Sequence, residues 1–347
     1  MIEFHDREKE IEEITRILRT PPNLITFVYG PINSGKTILM LEMAKRLPKE
    51  YVVFYINLRH IYVSKADDFL KILFEVKNKR IDVKRIVKEL VETYVPKEIV
   101  TPIGRFPIPK NVFNEIFKEK AIENVFVYLE NLLTEIVKKN KTPVLILDEL
   151  QKIGDVKIDG PLIYELFNFF VGLTKEFHLA HVFVITSDSL FLEKVYNEAM
   201  LQGRCRYLLV DDFDYNTTVG FLRKHGFNEK EIELTWNYFG GKPVYLVEAV
   251  NNKHRLNEFC QESLEDRFSS ILYRIKALRR ENEDLFQRVF ALFKQFRESE
   301  TTTCDEISEE VTWTVKNNVL FLDPRKRILK PQSKLDLLAI RKVLKSI

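Results

Sequence analysis

The stretch Leu24–Thr37, LITFVYGPINSGKT, sets the architecture of this 347-residue chain. An apolar run ends at Gly30, and Gly35-Lys36-Thr37 follows at the G-x-x-x-x-G-K-[ST] spacing of a phosphate-binding loop. A strand, a tight turn and a helix in this order surround phosphate oxygens with backbone N–H groups and the positive end of the helix. The residues expected to bind a nucleotide here are Gly30, Pro31, Ile32, Asn33, Ser34, Gly35, Lys36 and Thr37.

The residue types of the loop divide the chemistry between them. We expect Lys36 to reach the β- and γ-phosphates of ATP, and the Thr37 hydroxyl to hold Mg²⁺. An ordinary strand–loop–helix unit without a nucleotide is the alternative. The apolar helix that follows directly, from Ile38 to Leu47, disfavours it, because the motif then stands in the required structural context.

A second buried strand, Val144–Leu147, ends in the carboxylates Asp148 and Glu149. Open parallel sheets bind their ligands at this end of their strands. We assign Asp148 to Mg²⁺ and Glu149 to the attacking water, with Lys36 and Glu149 as catalytic groups. Alone, an Asp-Glu pair at a strand end is a weak signal, since many such pairs are only solvated. Its position after a phosphate loop strengthens it.

Two polar residues at other strands are weaker candidates. Ser187 follows the strand in AHVFVITSDSL (180–190), where it would lie between Mg²⁺ and the γ-phosphate, or would only cap the next helix. Arg204 precedes a fifth apolar strand, and a guanidinium near the γ-phosphate would stabilise transition-state charge as a catalytic group. A surface ion pair is the alternative for Arg204.

Composition limits the class of protein. Hydrophobic residues make up 45% and charged residues 30%, which is typical of a globular protein. The three cysteines form no C-x-x-C pair, so we expect neither a disulfide framework nor a zinc site. The charged beginning of the chain and the lack of an apolar run of roughly eighteen residues predict a cytoplasmic protein without a membrane segment.

The order of the elements predicts three domains. An α/β core with a parallel sheet covers 1–213, interrupted by a mostly helical insertion at about 64–142. Within it, helices are expected near 66–78, 82–93, 110–118 and 120–139, and a loop in the proline-rich stretch 96–109. A helical lid follows at 214–280, and a C-terminal domain occupies 281–347.

The C-terminal domain reads as a winged helix-turn-helix, with three helices before a hairpin at 318–332. One short helix is expected to open at Thr303, through the S/T-x-x-E capping-box spacing. Residues 311–347 hold nine lysines and arginines against two aspartates, so this end is basic. The candidate contacts to phosphates of double-stranded DNA are Arg325, Lys326, Arg327 and Lys330. Alternatively, these charges are only solvated and the domain packs on the core as an inhibitor.

Five segments in this order resemble one family, the archaeal ATPases of the STAND type, which are P-loop NTPases related to AAA+ proteins. The segments are FHDREKE (4–10), GPINSGKT (30–37), VLILDELQKI (144–153), LQGR (201–204) and GGKPVYL (240–246). The resemblance covers the whole chain, including the winged helix. It implies that Arg7 and Pro243 lie beside the nucleotide base.

The function expected from these observations is ATP binding with slow Mg²⁺-dependent hydrolysis, used as a conformational switch. The winged helix would couple the switch to DNA or to a protein partner. One alternative is a DNA-binding AAA+ initiator or remodeller that resembles the archaeal replication initiators. Two others are a metabolic kinase, which the winged helix disfavours, and a nucleotide sensor that does not hydrolyse ATP.

Overall fold

The centre of the protein is a five-stranded parallel sheet. The computed structural model describes residues 4–59, 66–77, 84, 87–88, 104–119, 122–153, 162–198 and 201–347. In spatial order the strands are β2 (Tyr51–Asn57), β5 (Thr142–Asp148), β6 (His181–Thr186), β1 (Ile25–Tyr29) and β7 (Cys205–Leu209). All neighbouring pairs are parallel, which confirms the predicted α/β fold with a P-loop sheet.

Helices cover both faces of this sheet, which explains why its strands read as continuous apolar runs. Ile25, Phe27 and Tyr29 pack on one face, and Val28 packs on the other. Helices α1 (Glu8–Leu18) and α2 (Lys36–Arg46) cover the Val28 face. The opposite face is covered by α5 (Ile122–Val137), α6 (Leu162–Val171) and α7 (Ser189–Glu198), and a π-helical turn, Gly172–Glu176, extends α6.

The predicted insertion contributes to the same core, and two details of its prediction are wrong. Helix α3 (Ala66–Leu73) ends early, and the next four residues form β3 (Phe74–Lys77). The stretch expected to be a loop contains β4 (Phe106–Pro109), which pairs with β3 and leads into α4 (Lys110–Glu119). Phe106 is buried and stacks on Phe54 of β2 at 4.4 Å, so packing overrides the proline signal. Most of the helix predicted near 82–93 lies outside the described residues.

A layer of helices follows β7 and meets the core again at one close backbone contact. It comprises α8 (Tyr215–Lys224), α9 (Glu229–Phe239) and α10 (Pro243–Asn251), and the long α11 (Leu256–Glu281) comes next. Phe213 N donates a hydrogen bond to Gly241 O over 2.9 Å. A Cβ at Gly241 would lie only 1.7 Å from Phe213 O, so no larger residue fits there. We call α8–α10 the lid helices.

The C-terminal part is the winged-helix region, residues 283–346. It contains α12 (Glu283–Lys294), α13 (Glu309–Lys316) and α14 (Lys334–Ser346), and an antiparallel sheet in the order β8 (Thr302–Thr303), β10 (Ile328–Pro331), β9 (Leu320–Asp323). The short helix predicted from Thr303 is wrong, because Thr303 pairs with Ile328 in the sheet. No helix within the described ranges is both long and apolar enough to cross a membrane.

Candidate nucleotide-binding site

The phosphate loop connects the end of β1 to the start of α2. Lys36 and Thr37 are the first residues of α2, so the N-terminus of that helix faces the space inside the loop. Gly35 has φ 93° and Asn33 has φ 59°, which are left-handed conformations that allow the tight turn. Gly30 passes so close to the chain after β7 that a Cβ there would lie 2.1 Å from Val210 O. The predicted loop residues therefore form one continuous cradle.

The Lys36 side chain is folded into this cradle. Its Nζ donates hydrogen bonds to Gly30 O at 3.0 Å and to Pro31 O at 2.7 Å. Burial, followed by the charge of Lys242, lowers the pKa of the Lys36 ammonium to about 7. A bound anion would stabilise the charged form, so this lysine is poised to respond to phosphate.

Thr37 and Asp148 lie together at the carboxyl end of the sheet. Asp148 Oδ2 accepts hydrogen bonds from Thr37 Oγ1 at 2.8 Å and from Tyr55 OH at 2.9 Å. Its second oxygen, Oδ1, is buried and has no hydrogen-bond partner within the part of the chain that is described. Burial raises the pKa of the Asp148 carboxyl. A free carboxylate oxygen beside a threonine hydroxyl is the donor set that Mg²⁺ prefers, so these residues fit the ion.

Glu149 follows β5 in a left-handed backbone conformation, with φ 62°. Each oxygen of its carboxylate accepts a hydrogen bond from a different side chain. Arg59 Nη2 donates to Oε1 at 2.6 Å, and Gln151 Nε2 donates to Oε2 at 2.6 Å. Gln151 in turn accepts a hydrogen bond from Thr186 Oγ1 at 2.9 Å. A polar network therefore fixes the carboxylate predicted to act on water, and uncommon backbone angles often mark such sites.

Ser187 and Arg204 are the two weaker candidates for a contact with the γ-phosphate, and the structure places only Ser187 near the site. Ser187 directly follows β6, beside β5, at the carboxyl edge of the sheet. Arg204 lies at the opposite, amino-terminal end of the strands, because its carbonyl accepts a hydrogen bond from Ile25 N at the beginning of β1. The length of β1, about 13 Å at roughly 3.3 Å per residue, separates it from the loop. This placement contradicts the predicted catalytic role of Arg204.

A cavity of 810 Å³ opens beside the phosphate loop, between the segment that precedes α1 and the lid helices. Its walls include Arg7, Pro243 and three aromatic or aliphatic side chains, Phe4, Ile38 and Phe213. The Arg7 guanidinium is buried, donates to Ser34 O at 2.7 Å and lies 4.5 Å from the Phe213 ring centre. A largely apolar cavity of this size with a buried guanidinium in its wall suits a planar base and a sugar.

Comparison with known proteins decides the family. Residues 4–249 match the family described as an ATPase domain predominantly from Archaea. The chain belongs to this archaeal ATPase family. The family that the sequence motifs indicate is thereby confirmed, and residues 257–344 match the C-terminal domain of uncharacterised ATP-binding proteins similar to MJ1010.

Relatives in this family align with the chain over nearly its full length. The chain is 50% identical to the uncharacterised ATP-binding protein MJ1659 of Methanocaldococcus jannaschii, over 100% of this chain and 98% of the relative. It is also 50% identical to the uncharacterised ATP-binding protein PYRAB09480 of Pyrococcus abyssi, over 98% of both chains. The solved Walker-type ATPase PABY2304 of Pyrococcus abyssi aligns with a TM-score of 0.65 at 17% identity, covering 97% of this chain and 96% of that chain. The latter likeness concerns the fold.

Two residues reach the phosphate loop from outside the α/β core, and sequence reasoning missed both. Lys242, which precedes Pro243 at the start of α10, donates from Nζ to Ile32 O at 3.0 Å. Gln332, just after β10, accepts a hydrogen bond at Oε1 from Ile32 N at 3.0 Å. The peptide groups of Ile32 are thus held by the lid and by the winged-helix region together. A lysine inside the GGKP segment was the one available signal, whereas nothing local singles out Gln332.

The predicted DNA contacts divide into two pairs. Lys330 Nζ lies 2.6 Å from Oδ1 of Asp211, two residues after β7, and Arg327 lies 3.9 Å from Glu193 of α7. Both side chains therefore face the ATPase core. Arg325 and Lys326 line a cavity of 540 Å³ between the hairpin tip, α1 and β7. The hairpin is also fixed next to its tip, since Tyr29 OH donates at 3.1 Å to Oδ1 of Asp323, the last residue of β9.

Proposed function

We propose that this chain binds ATP with Mg²⁺, hydrolyses it slowly and uses the nucleotide state to reposition the winged-helix region. The family match and the ATP-binding names of the full-length relatives support the choice of nucleotide. The cavity beside the loop supports it too, because Arg7, Pro243 and the apolar walls leave space for a base next to the phosphate cradle.

The residues that would hold the metal are Thr37 and Asp148. The hydroxyl and the free Oδ1 stand side by side at the cradle, and the ion would neutralise charge on the β- and γ-phosphates. Within the described part of the chain, no cluster of three or more His, Cys, Asp or Glu side chains could hold a metal by itself. This supports a site that the nucleotide completes.

Glu149 is proposed to orient the attacking water and to accept its proton. Ser187 stays a proposed contact of the γ-phosphate at the same edge of the sheet. The hydrogen bonds from Arg59 and Gln151 occupy both oxygens of Glu149. Water must compete with these partners for the carboxylate, so slow turnover is the expected consequence.

One observation carries the switch. Ile32 of the phosphate loop is bonded through N–H to Gln332 of the winged-helix region and through C=O to Lys242 of the lid. Phosphates that enter the loop must share or displace these bonds. Nucleotide binding therefore acts on two other parts of the protein through a single loop residue, with no need for a longer pathway.

The proposed domain boundaries, 1–213, 214–280 and 281–347, are supported by the separate clusters of buried side chains. One cluster contains Phe239 and Leu246 of the lid helices, and another contains Phe293 and Ile340 of the winged-helix region. Helix α11 contributes to both clusters, through Cys260 and Ile275 respectively. We propose that this helix transmits movement between the two.

The partner of the winged-helix region is proposed to be DNA or a protein. Arg325 and Lys326 support DNA, whereas the pairing of Lys330 with Asp211 and of Arg327 with Glu193 supports a region held on the core as an inhibitor. The alternative function, a DNA-binding initiator that resembles the archaeal replication initiators, requires DNA as the partner. Its chemistry at the nucleotide would be the same.

Hydrogen–deuterium exchange tests the switch directly. Glu149→Gln protein, which should bind ATP without rapid turnover, is compared with and without saturating Mg-ATP. We expect the amides of Ile32 and of 320–332 to change their exchange rate severalfold on binding. Lys36→Ala protein is the control that lacks the phosphate contact. Changes confined to the loop and to the base cavity would contradict the switch while leaving ATP binding intact.

A further inference from the structure

Two buried lysines converge on the phosphate loop from different parts of the protein. Lys36 belongs to the loop itself, and Lys242 comes from the segment between the lid helices α9 and α10. Their exposed fractions are 5% and 2%. Both ammonium groups bond to loop carbonyls, Lys36 to Gly30 and Pro31, and Lys242 to Ile32.

Of the carboxylates near these two lysines, one forms an ion pair with them in the described part of the chain. Asp212 lies 2.8 Å from the Lys242 Nζ. Its neighbour Asp211 bonds to Lys330 instead. The charge of Lys242 lowers the pKa of Lys36 more than any single nearby carboxylate raises it, and those carboxylates are Glu149, Asp148 and Asp212. Like charges held together out of water are costly unless an anion accompanies them.

The position of Lys242 indicates which part of a nucleotide it would meet. The base cavity is lined by the next residue, Pro243, and by Ser34 and Gly35 of the loop. The Lys242 ammonium instead lies at Ile32, toward the middle of the loop, within electrostatic reach of Lys36. The lysine therefore stands at the polyphosphate end of the site.

We propose that Lys242 is a second phosphate-binding cation, which exchanges the Ile32 carbonyl and Asp212 for the terminal phosphate of the bound nucleotide. This inference rests on the proposed ATP binding. Asp212 then serves as a stand-in for phosphate in the nucleotide-free protein. Because Lys242 directly precedes α10, the exchange would also draw a lid helix toward the loop.

Calorimetric titration with ATP and ADP, in the presence of Mg²⁺, tests the assignment on the full chain. Lys242→Gln should weaken ATP binding by at least about tenfold, the effect of losing one charge-assisted contact, and ADP binding by clearly less. Lys242→Arg, which keeps the charge, should restore most of the ATP affinity. Lys230→Gln, at an exposed lysine of α9, is the matched control and should change neither value.

Asp212→Asn separates the proposal from a purely structural role of the ion pair. If Asp212 substitutes for phosphate, its removal lowers the melting temperature but strengthens ATP binding severalfold. If the pair only stabilises the lid, both Lys242→Gln and Asp212→Asn weaken ATP and ADP binding equally, and that result overturns the proposal. A wild-type protein that binds neither nucleotide would overturn the proposed function itself.

Discussion

Arg59 Nη2 donates a hydrogen bond of 2.6 Å to Glu149 Oε1, joining the residues that follow β2 and β5. The two partners differ in environment, because the Arg59 side chain is 54% exposed and the Glu149 side chain is 12% exposed. The ion pair holds the carboxylate on the side of the solvent-facing arginine. A stronger ion pair would leave the Glu149 carboxylate less available to orient and deprotonate the attacking water.

Arg59→Gln should therefore raise ATP turnover, by up to about tenfold, since roughly 1.4 kcal/mol corresponds to that factor and a half-exposed pair is screened. Phosphate release at saturating Mg-ATP measures it. Arg46→Gln, which removes a similarly exposed arginine paired with Glu42, is the control. A slower Arg59→Gln enzyme would mean that the arginine holds Glu149 in its working position.

The acidity of Lys36 predicts how nucleotide affinity depends on pH. Its pKa in the ligand-free protein is about 7, below the ordinary 10.5, so above pH 7 the free protein must gain a proton to bind phosphates. ATP affinity should fall by up to about tenfold per pH unit between pH 7 and 9. Calorimetry should show that Lys36→Ala lowers affinity by an order of magnitude or more near pH 7 and flattens this slope.

The lowered pKa of Lys36 has the opposite effect on folding stability, which it makes rise with pH while ATP affinity falls. Between pH 7 and 10.5 the unfolded chain binds more protons at Lys36 than the folded chain does. The contribution of Lys36 to the free energy of unfolding therefore rises with pH in this window. Denaturant titrations of wild type and Lys36→Met at several pH values isolate that contribution. An identical pH dependence in the two proteins would contradict the shift.

The two carboxylates after β5 should have separable effects. Glu149→Gln should keep ATP binding and cut turnover by about 10²–10⁴, the range for a lost general base. Asp148→Asn should damage both binding and turnover, because Asp148 is proposed to hold Mg²⁺ together with Thr37. Steady-state rates and Mg-ATP titrations distinguish them. Wild-type turnover by Glu149→Gln would move the water-activating role to another group.

The hairpin tip decides between the inhibitor and the DNA contact. If the winged-helix region is an inhibitor held by charge, replacing Arg325, Lys326 and Arg327 by Ser should leave folding intact and raise basal ATPase activity by up to about fivefold, since each exposed ion pair is worth roughly 0.2–1 kcal/mol. The exposed Lys345→Ser is the charge control.

If DNA is the partner, the same triple variant should lose affinity for duplexes of every sequence. The slope of log affinity against log salt should shrink by about 0.9 per lost contact. A wild-type protein that fails to bind duplex DNA at low salt would exclude the DNA contact. Unchanged turnover would exclude the inhibitor.

Local spacing made part of the site predictable. The loop from Gly30 to Thr37 and the pair Asp148-Glu149 are short patterns whose chemistry requires neighbouring residues. The bond between Ile32 and Gln332 joins residues 300 positions apart, and only folding brings them together. The same holds for the placement of Arg204, since no local pattern reveals which end of the sheet it occupies. In β4, the burial of Phe106 and Ile108 outweighs the two prolines, which alone predict a loop.

The close backbone contact between Phe213 and Gly241 gives the lid a mechanical character. The chain enters α8 and leaves α9 beside this contact, so we expect these helices to rotate about it rather than to slide away from the core. Lys242 is the next residue and lies almost on that pivot, while the far end of α10 lies about 12 Å beyond it at roughly 1.5 Å per residue. The phosphate-facing residue Lys242 is therefore close to the contact about which the lid would turn, whereas the end of α10 that lines the base cavity is far from it. We expect a small shift of Lys242 toward the phosphates to become larger at the far end of α10, where Val247 and Asn251 line the base cavity.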